Sequence, residues 1–204
     1  MPGFFPFNPN VGQRLATDAP GTWEDEAFLA HYQIPAAAAT AASTTGIHAA
    51  VTDNGAQQVV TTGITQPSVP RNITATAGGT GTDIKAIQVI IAGTDYAGNA
   101  ITETLPAFTV DTPGTVVGNK AFKTITSITI PAHDGLGATT AIGFSEKMGM
   151  PDLLAHNTVL FAFLGNTKEG TAPTVTVDAA NLSGNTFDLN SALNGTVVDI
   201  YYLV

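Results

Sequence analysis

Cysteine is absent from this chain of 204 residues. That excludes disulfides, cysteine-ligated zinc, iron–sulfur clusters and a thiol nucleophile. Charge is scarce as well, at 11% of residues, and positive charge is the scarcer sign: 7 Lys and Arg stand against 16 Asp and Glu, for a net charge of −9. A nucleic-acid backbone is bound by a stripe of Lys and Arg, so nucleic acid is not an expected partner. No apolar run reaches the 18 residues that a membrane span requires, and the longest, "TVLFAFLG", has the length of a strand. The opening "MPGFFPFNPNVGQR" lacks the basic start and apolar run of a secretory leader. Synthesis in a cytoplasm and no membrane partner are therefore expected. A domain of this size buries roughly 70% of its unfolded surface and can fold without staples.

What is present divides into two parts. In residues 1–45, "MPGFFPFNPN" packs three prolines and three phenylalanines into ten positions. Proline fixes φ and removes a donor, which predicts an extended arm. Phe4, Phe5 and Phe7 need apolar cover, either on their own domain or on a neighbouring subunit. A short helix is predicted near 23–32: Thr22 as its cap, Glu24, Asp25 and Glu26 in its first turn where the helix dipole favours negative charge, and Trp23 and Phe28 among its apolar residues. The alanine-rich "IPAAAATAASTTG" fits helix and extended linker alike.

From residue 46 to 204 the pattern is β. Short β-branched runs alternate with Gly, Pro, Asn and Asp. Candidate strands are "GAQQVVTTGIT", "RNITATA", "DIKAIQVIIAG", "AITETLPAFTV", "KAFKTITSITIP", "TVTVDA" and "GTVVDIYYLV". Ile87, Val89 and Ile91 recur with period two, as do Phe122, Ile128 and Ile130. "HNTVLFAFLGN" is apolar in both phases and reads as a central strand covered on both faces. The last strand implies that Val204 is tied into a sheet. Seven to nine strands with regular turns predict a mainly β fold, a β-sandwich of immunoglobulin-like or jelly-roll-like type, with a barrel as the alternative.

Motifs that carry chemistry are not found. "AGGTGTD" has neither the lysine and following helix of a phosphate loop nor dinucleotide spacing, so its glycines read as turn formers. "GTDYAGN" offers Asp95 and Asn99, too few oxygens for calcium and the right residues for a hairpin turn. His31, His48, His133 and His156 show no ligand spacing. Ser145-Glu146-Lys147 forms no nucleophile motif. The "NIT", "NLS" and "NGT" triplets read as chance matches to a glycosylation acceptor. No catalytic residue, cofactor or metal is assigned, and an enzyme is not expected. Tyr96, Tyr201 and Tyr202 are the tyrosines of the β-region that a glycan-binding edge would use.

The stretch "GITQPSVPRNITATAGGTGTDIKAIQVIIAGTDYAGNAITETLPAF" and its continuation "GNKAFKTITSITIPAHDGLGATTAIGF", over roughly residues 60–145, resemble small structural proteins of tailed bacteriophages. The "PRNIT" start, the "GTDxxGNxITE" hairpin and the "KAFKTITSITIP" strand carry the likeness, and the hairpin also resembles immunoglobulin-like modules of phage and bacterial surface proteins. The resemblance implies a non-enzymatic virion protein on the capsid surface, decorating or cementing the shell through the major capsid protein. A component of tail, baseplate or fibre, binding other tail proteins or a host glycan, is the alternative. A homo-oligomer, with a trimer favoured, accompanies this reading. The arm residues Phe4, Phe5, Phe7, Trp23 and Phe28 are the expected partner contacts. A chain lacking residues 1–45 is expected to keep a folded β-domain and to lose its place in the particle.

Overall fold

The computed structural model describes residues 15–16, 23–24 and 28–204. In chain order the strands are β1 (Leu15–Ala16), β2 (Trp23–Glu24), β3 (Leu29–Ile34), β4 (Ser43–Thr52), β5 (Gln58–Val60), β6 (Arg71–Gly79), β7 (Ile90–Thr94), β8 (Ala100–Thr104), β9 (Gly114–Phe122), β10 (Thr124–Ile130), β11 (Ala138–Gly149), β12 (Val159–Leu164), β13 (Thr167–Lys168), β14 (Thr174–Thr176), β15 (Thr186–Asp188) and β16 (Val198–Leu203). Single 3-10 turns lie at Gly81–Asp83 and Leu182–Gly184. The fold is mainly β, as the sequence predicts, and among the described residues there is no α-helix.

The helix predicted near 23–32 is therefore corrected to strand. β2 pairs with β1, and β3 pairs along its whole length with β16. The physical reason is visible in β3 itself. Ile34 is buried and Ala30 and Tyr32 are half-buried, while Leu29, His31 and Gln33 are exposed, which is a period of two. A ten-residue helix is marginal alone, whereas β16 offers a complete ladder. The boundary drawn at 45/46 falls inside β4, and residues 29–34 belong to a sheet.

All strand pairs are antiparallel. One four-stranded sheet has the order β5-β10-β7-β8 and another β13-β12-β16-β3. A six-stranded sheet runs β14-β15-β11-β6-β9, with β4 also paired to β11. The twelve-residue β11 is long enough to hold two neighbours end to end, β4 against Thr139–Phe144 and β15 against Met148–Gly149.

Two apolar clusters follow. The first gathers Ile73, Ala75, Ile142 and Phe122 of the six-stranded sheet with Ile91, Ile125, Ile128 and Ile130 of the first four-stranded sheet. Ile87 and Val89 are buried here too, in the predicted phase, although the strand begins only at Ile90. The second gathers Met148, Met150 and Phe187 with Ile34, Ala162, Val198, Ile200 and Tyr202 of the β13-β12-β16-β3 sheet.

The expected cover on both faces of "HNTVLFAFLGN" is not observed. β12 is interior in its sheet, but Leu160 is 42% and Phe161 46% exposed. Ala162 points into the second cluster, and the opposite face has no layer over it among the described residues.

Candidate functional site

The open face of the β13-β12-β16-β3 sheet is the strongest candidate site. Strand alternation places Leu29, His31 and Gln33 of β3, Asp199, Tyr201 and Leu203 of β16, and Phe161 and Phe163 of β12 on it. The aromatic groups order one another. The His31 and Tyr201 rings stack at 4.4 Å with 6° between planes, and Phe163 meets Tyr201 edge-on at 5.9 Å. Lys168 of β13 holds its ammonium 4.6 Å from the centre of the Phe161 ring. Asp199 accepts from His31 Nε2 at 2.7 Å and from Gln33 Nε2 at 2.9 Å. Aromatic rings with two χ angles, tied by such contacts, are ready to bind with little further ordering.

At the end of the sheet, in the phase of its covered face, lies an apolar corner. Phe28 and Val204 exchange both main-chain hydrogen bonds, 2.8 and 3.0 Å. Val204 is thus tied into the sheet, as expected. Beside them a pocket is lined by Leu153, Leu154, His156, Leu203 and Val204. Of the eleven large apolar residues that are exposed among the described residues, Leu29 and Phe161 lie on the open face and Phe28, Leu153, Leu160 and Val204 on the same sheet or its rim, Phe28 being the most exposed of them at 69%. Single exposed apolar residues are ordinary on a protein surface, whereas a contiguous group marks an interaction site.

The residues singled out in the sequence are dispersed. Phe4, Phe5 and Phe7 lie outside the described residues. Trp23 is on β2, opposite Ala16. Phe28 is at the apolar corner. Of the tyrosines, only Tyr201 lies on the open face. Tyr202 is buried and its hydroxyl donates to Asp152; desolvation first, then this bond, pushes its pKa far above the ordinary value. Tyr96 sits on the predicted hairpin turn, where Asp95 accepts from the Asn99 main chain at 2.9 Å and Gly98 takes φ +87°. Its ring meets Tyr32 of β3 edge-on at 6.1 Å, so this turn braces the second cluster.

The glycine-rich "AGGTGTD" is also structural. Asp83 accepts the Gly137 N–H at 2.9 Å, and Gly79 takes φ +80° where a Cβ would lie 2.1 Å from the Gly137 carbonyl oxygen. Close by, Asp53 and His133 close a buried clasp. His133 N–H donates to Asp53 at 3.0 Å. The ring Nδ1 accepts from Lys85 N–H at 3.2 Å, which leaves Nε2 to donate to Thr140 Oγ1 at 3.0 Å. Burial holds the His133 pKa below its ordinary value, against the raising influence of Asp53 and Asp134.

Arg71 is buried between the two clusters. It donates to the Thr40 carbonyl at 2.6 Å and to Thr40 Oγ1 at 3.1 Å, and its guanidinium lies 4.4 Å from the Phe144 ring centre. Desolvation lowers its pKa to about 10, while Glu146 and Asp188 act to raise it. His31, His48 and His133 make separate local contacts. Among the described residues no group of three or more His, Asp or Glu side chains is placed to hold a metal ion.

Comparison with protein-family models, with curated proteins and with solved structures returns no match. The open face was not foreseen, because its phenylalanines read as buried in both phases of β12. The signal available was Tyr201 two residues from Asp199, in phase with each other on the last strand.

Proposed function

We propose that this chain is a non-enzymatic structural protein of a bacteriophage virion, decorating and stabilising the capsid by binding the major capsid protein. The observation that carries the binding role is the concentration of exposed apolar and aromatic residues on the β13-β12-β16-β3 face and its rim. The virion setting rests on the resemblance of residues 60–145 to small phage structural proteins. The first apolar cluster, which draws on two sheets, supports a β-sandwich as the scaffold.

Energetics favour this use of the face. Burying one phenylalanine or leucine side chain contributes roughly 1.5–3 kcal/mol. Several such residues offset the cost of association, and many equivalent sites on one shell multiply the effect. Phe28 adjoins the expected arm and precedes Leu29 of the open face, so an arm contact would lie at the end of the face contact. A homo-oligomer would engage several capsid subunits at once. No cofactor is required.

Immunogold electron microscopy of particles, with antibody against residues 46–204, tests the reading. Label over the head supports it. Label confined to the tail overturns the capsid role in favour of a tail, baseplate or fibre component. Unlabelled particles overturn the virion reading. The arm test is best made by deleting residues 1–27, since deletion through residue 45 would also remove β3.

A further inference from the structure

We propose that the free edge of β3 is a self-association site, which pairs antiparallel with β3 of a second copy across a two-fold axis. This inference does not depend on the capsid reading.

The backbone phase of β3 sets the argument. Phe28 and Val204 exchange both main-chain bonds. In an antiparallel pair such residues alternate with residues that bond the other way. Ala30, Tyr32 and Ile34 therefore bond β16, while Leu29, His31 and Gln33 aim their N–H and C=O groups away from it. The bond from Leu203 N–H to the Thr158 carbonyl, 3.2 Å, shows the same alternation on β16, whose odd-numbered residues face β12. β3 is the end strand of its sheet, so among the described residues these three donors and three acceptors have no strand beside them.

Natural edge strands are blunted by charge, proline, bulges, shortness or cover. The other edges of these sheets follow that rule. β5 and β14 have three residues each and β13 two. β8 carries Glu103 and β9 carries Lys120. β4 is uncharged, but its register with β11 shifts twice and Thr65 N–H covers its Ile47 carbonyl. β3 reads "LAHYQI", six residues without Lys, Arg, Asp, Glu or Pro, in unbroken register with β16. It is the unprotected edge among the described residues.

The edge fits a copy of itself. Only the odd-numbered residues have free main-chain groups, so odd must face odd. The symmetrical register sets His31 against His31 and Leu29 against Gln33, and satisfies all six groups with six main-chain bonds. Residues directly opposite share a face, so the two aromatic faces become one continuous surface. Identical chains of net charge −9 repel, and a neutral strand is where they can approach. Two-fold closure also ends the association at a pair.

The test uses the full chain. Sedimentation equilibrium is expected to give twice the chain mass, and Gln33→Pro, which removes an outward N–H and no main-chain bond to β16, is expected to give the monomer mass in a chain that stays folded; Gln33→Ala, which removes only the side-chain bond to Asp199, is expected to stay a dimer. Because the chain has no cysteine, His31→Cys reports contact directly. Opposed residues of a bonded pair lie about 5.5 Å apart at Cα, within disulfide range. Covalent dimer on oxidation, several-fold above that of the exposed control Val110→Cys, supports the pairing. Three results overturn it: monomer mass at all concentrations; an oligomer in which His31→Cys cross-links no better than the control; or slow hydrogen exchange at Leu29, His31 and Gln33 in a monomer, which would mean that the chain covers its own edge. Should Gln33→Pro fail to fold, the cross-linking comparison decides alone.

Discussion

The two apolar clusters differ in how they are closed. The first is built mainly from β-branched and aromatic residues of two sheets, and of the exposed large apolar residues around it only Val59 and Ile90 are near neighbours across strands, on either side of Thr129, whereas Val110, Val117 and Leu136 lie on other elements. The second is filled by residues of more varied shape, among them Met148, Met150, Leu154, Phe187 and Tyr202, and the sheet that covers it bears aromatic residues on its outer side as well. One region uses its hydrophobic side chains for folding. The other divides them between folding and a surface held ready for contact.

The largest expected effect falls in the first region. Phe122→Ala, at a fully buried position, is expected to cost about 3–5 kcal/mol and Ile73→Ala about 2–5 kcal/mol, read by urea denaturation. A loss below about 1 kcal/mol at both would mean that this cluster is not the principal core. In the second region, Tyr202→Phe removes the hydroxyl that donates to Asp152 and is expected to cost about 1–2 kcal/mol.

A smaller effect is expected from pH. The His133 pKa is lowered in the fold, so the unfolded chain binds the proton more readily. The contribution of the clasp is complete above the ordinary histidine value of about 6.5. It declines as pH falls from there through the lowered folded value, because a protonated Nδ1 no longer accepts from Lys85. Asp188 and Glu103, raised chiefly by desolvation, run in the opposite sense, their contributions falling as pH rises through the carboxylate range. Comparison with His133→Gln, whose amide does not titrate, isolates the histidine. Equal pH dependence in the two proteins would remove His133 as the cause.

The smallest expected change in stability is the most informative about function. Phe161→Ser on the open face removes the contact with Lys168 and should cost only about 1 kcal/mol of stability, yet reduce incorporation into particles. Full incorporation would separate the face from partner binding.

Much of this contrast was legible in the sequence, and part of it was not. The period of two in Ile87, Val89 and Ile91 and the hairpin turn at Asp95–Asn99 depend on neighbours in the chain and are legible there, and the β-branched run before Val204 marks the last strand although its partner Phe28 is remote. β3 was not legible, since acidic residues after Thr22 suggest a helix start and the ladder that decides the matter comes from β16, some 170 residues away. The open face was hidden for a related reason. An apolar residue such as Phe161 looks the same in sequence whether a second layer covers it or not. The clasp joins Asp53 to His133 across 80 residues, a separation that no local pattern records.

β11 belongs to both regions: Ala138 and Ile142 lie in the first cluster and Met148 in the second. Its main chain is continuous through both, with a shift in its register with β6 between Phe144 and Met148. The two cores are thereby thermodynamically coupled, and heat should melt them in one cooperative transition. Loosening on the contact side is then opposed by the free energy of the whole molecule.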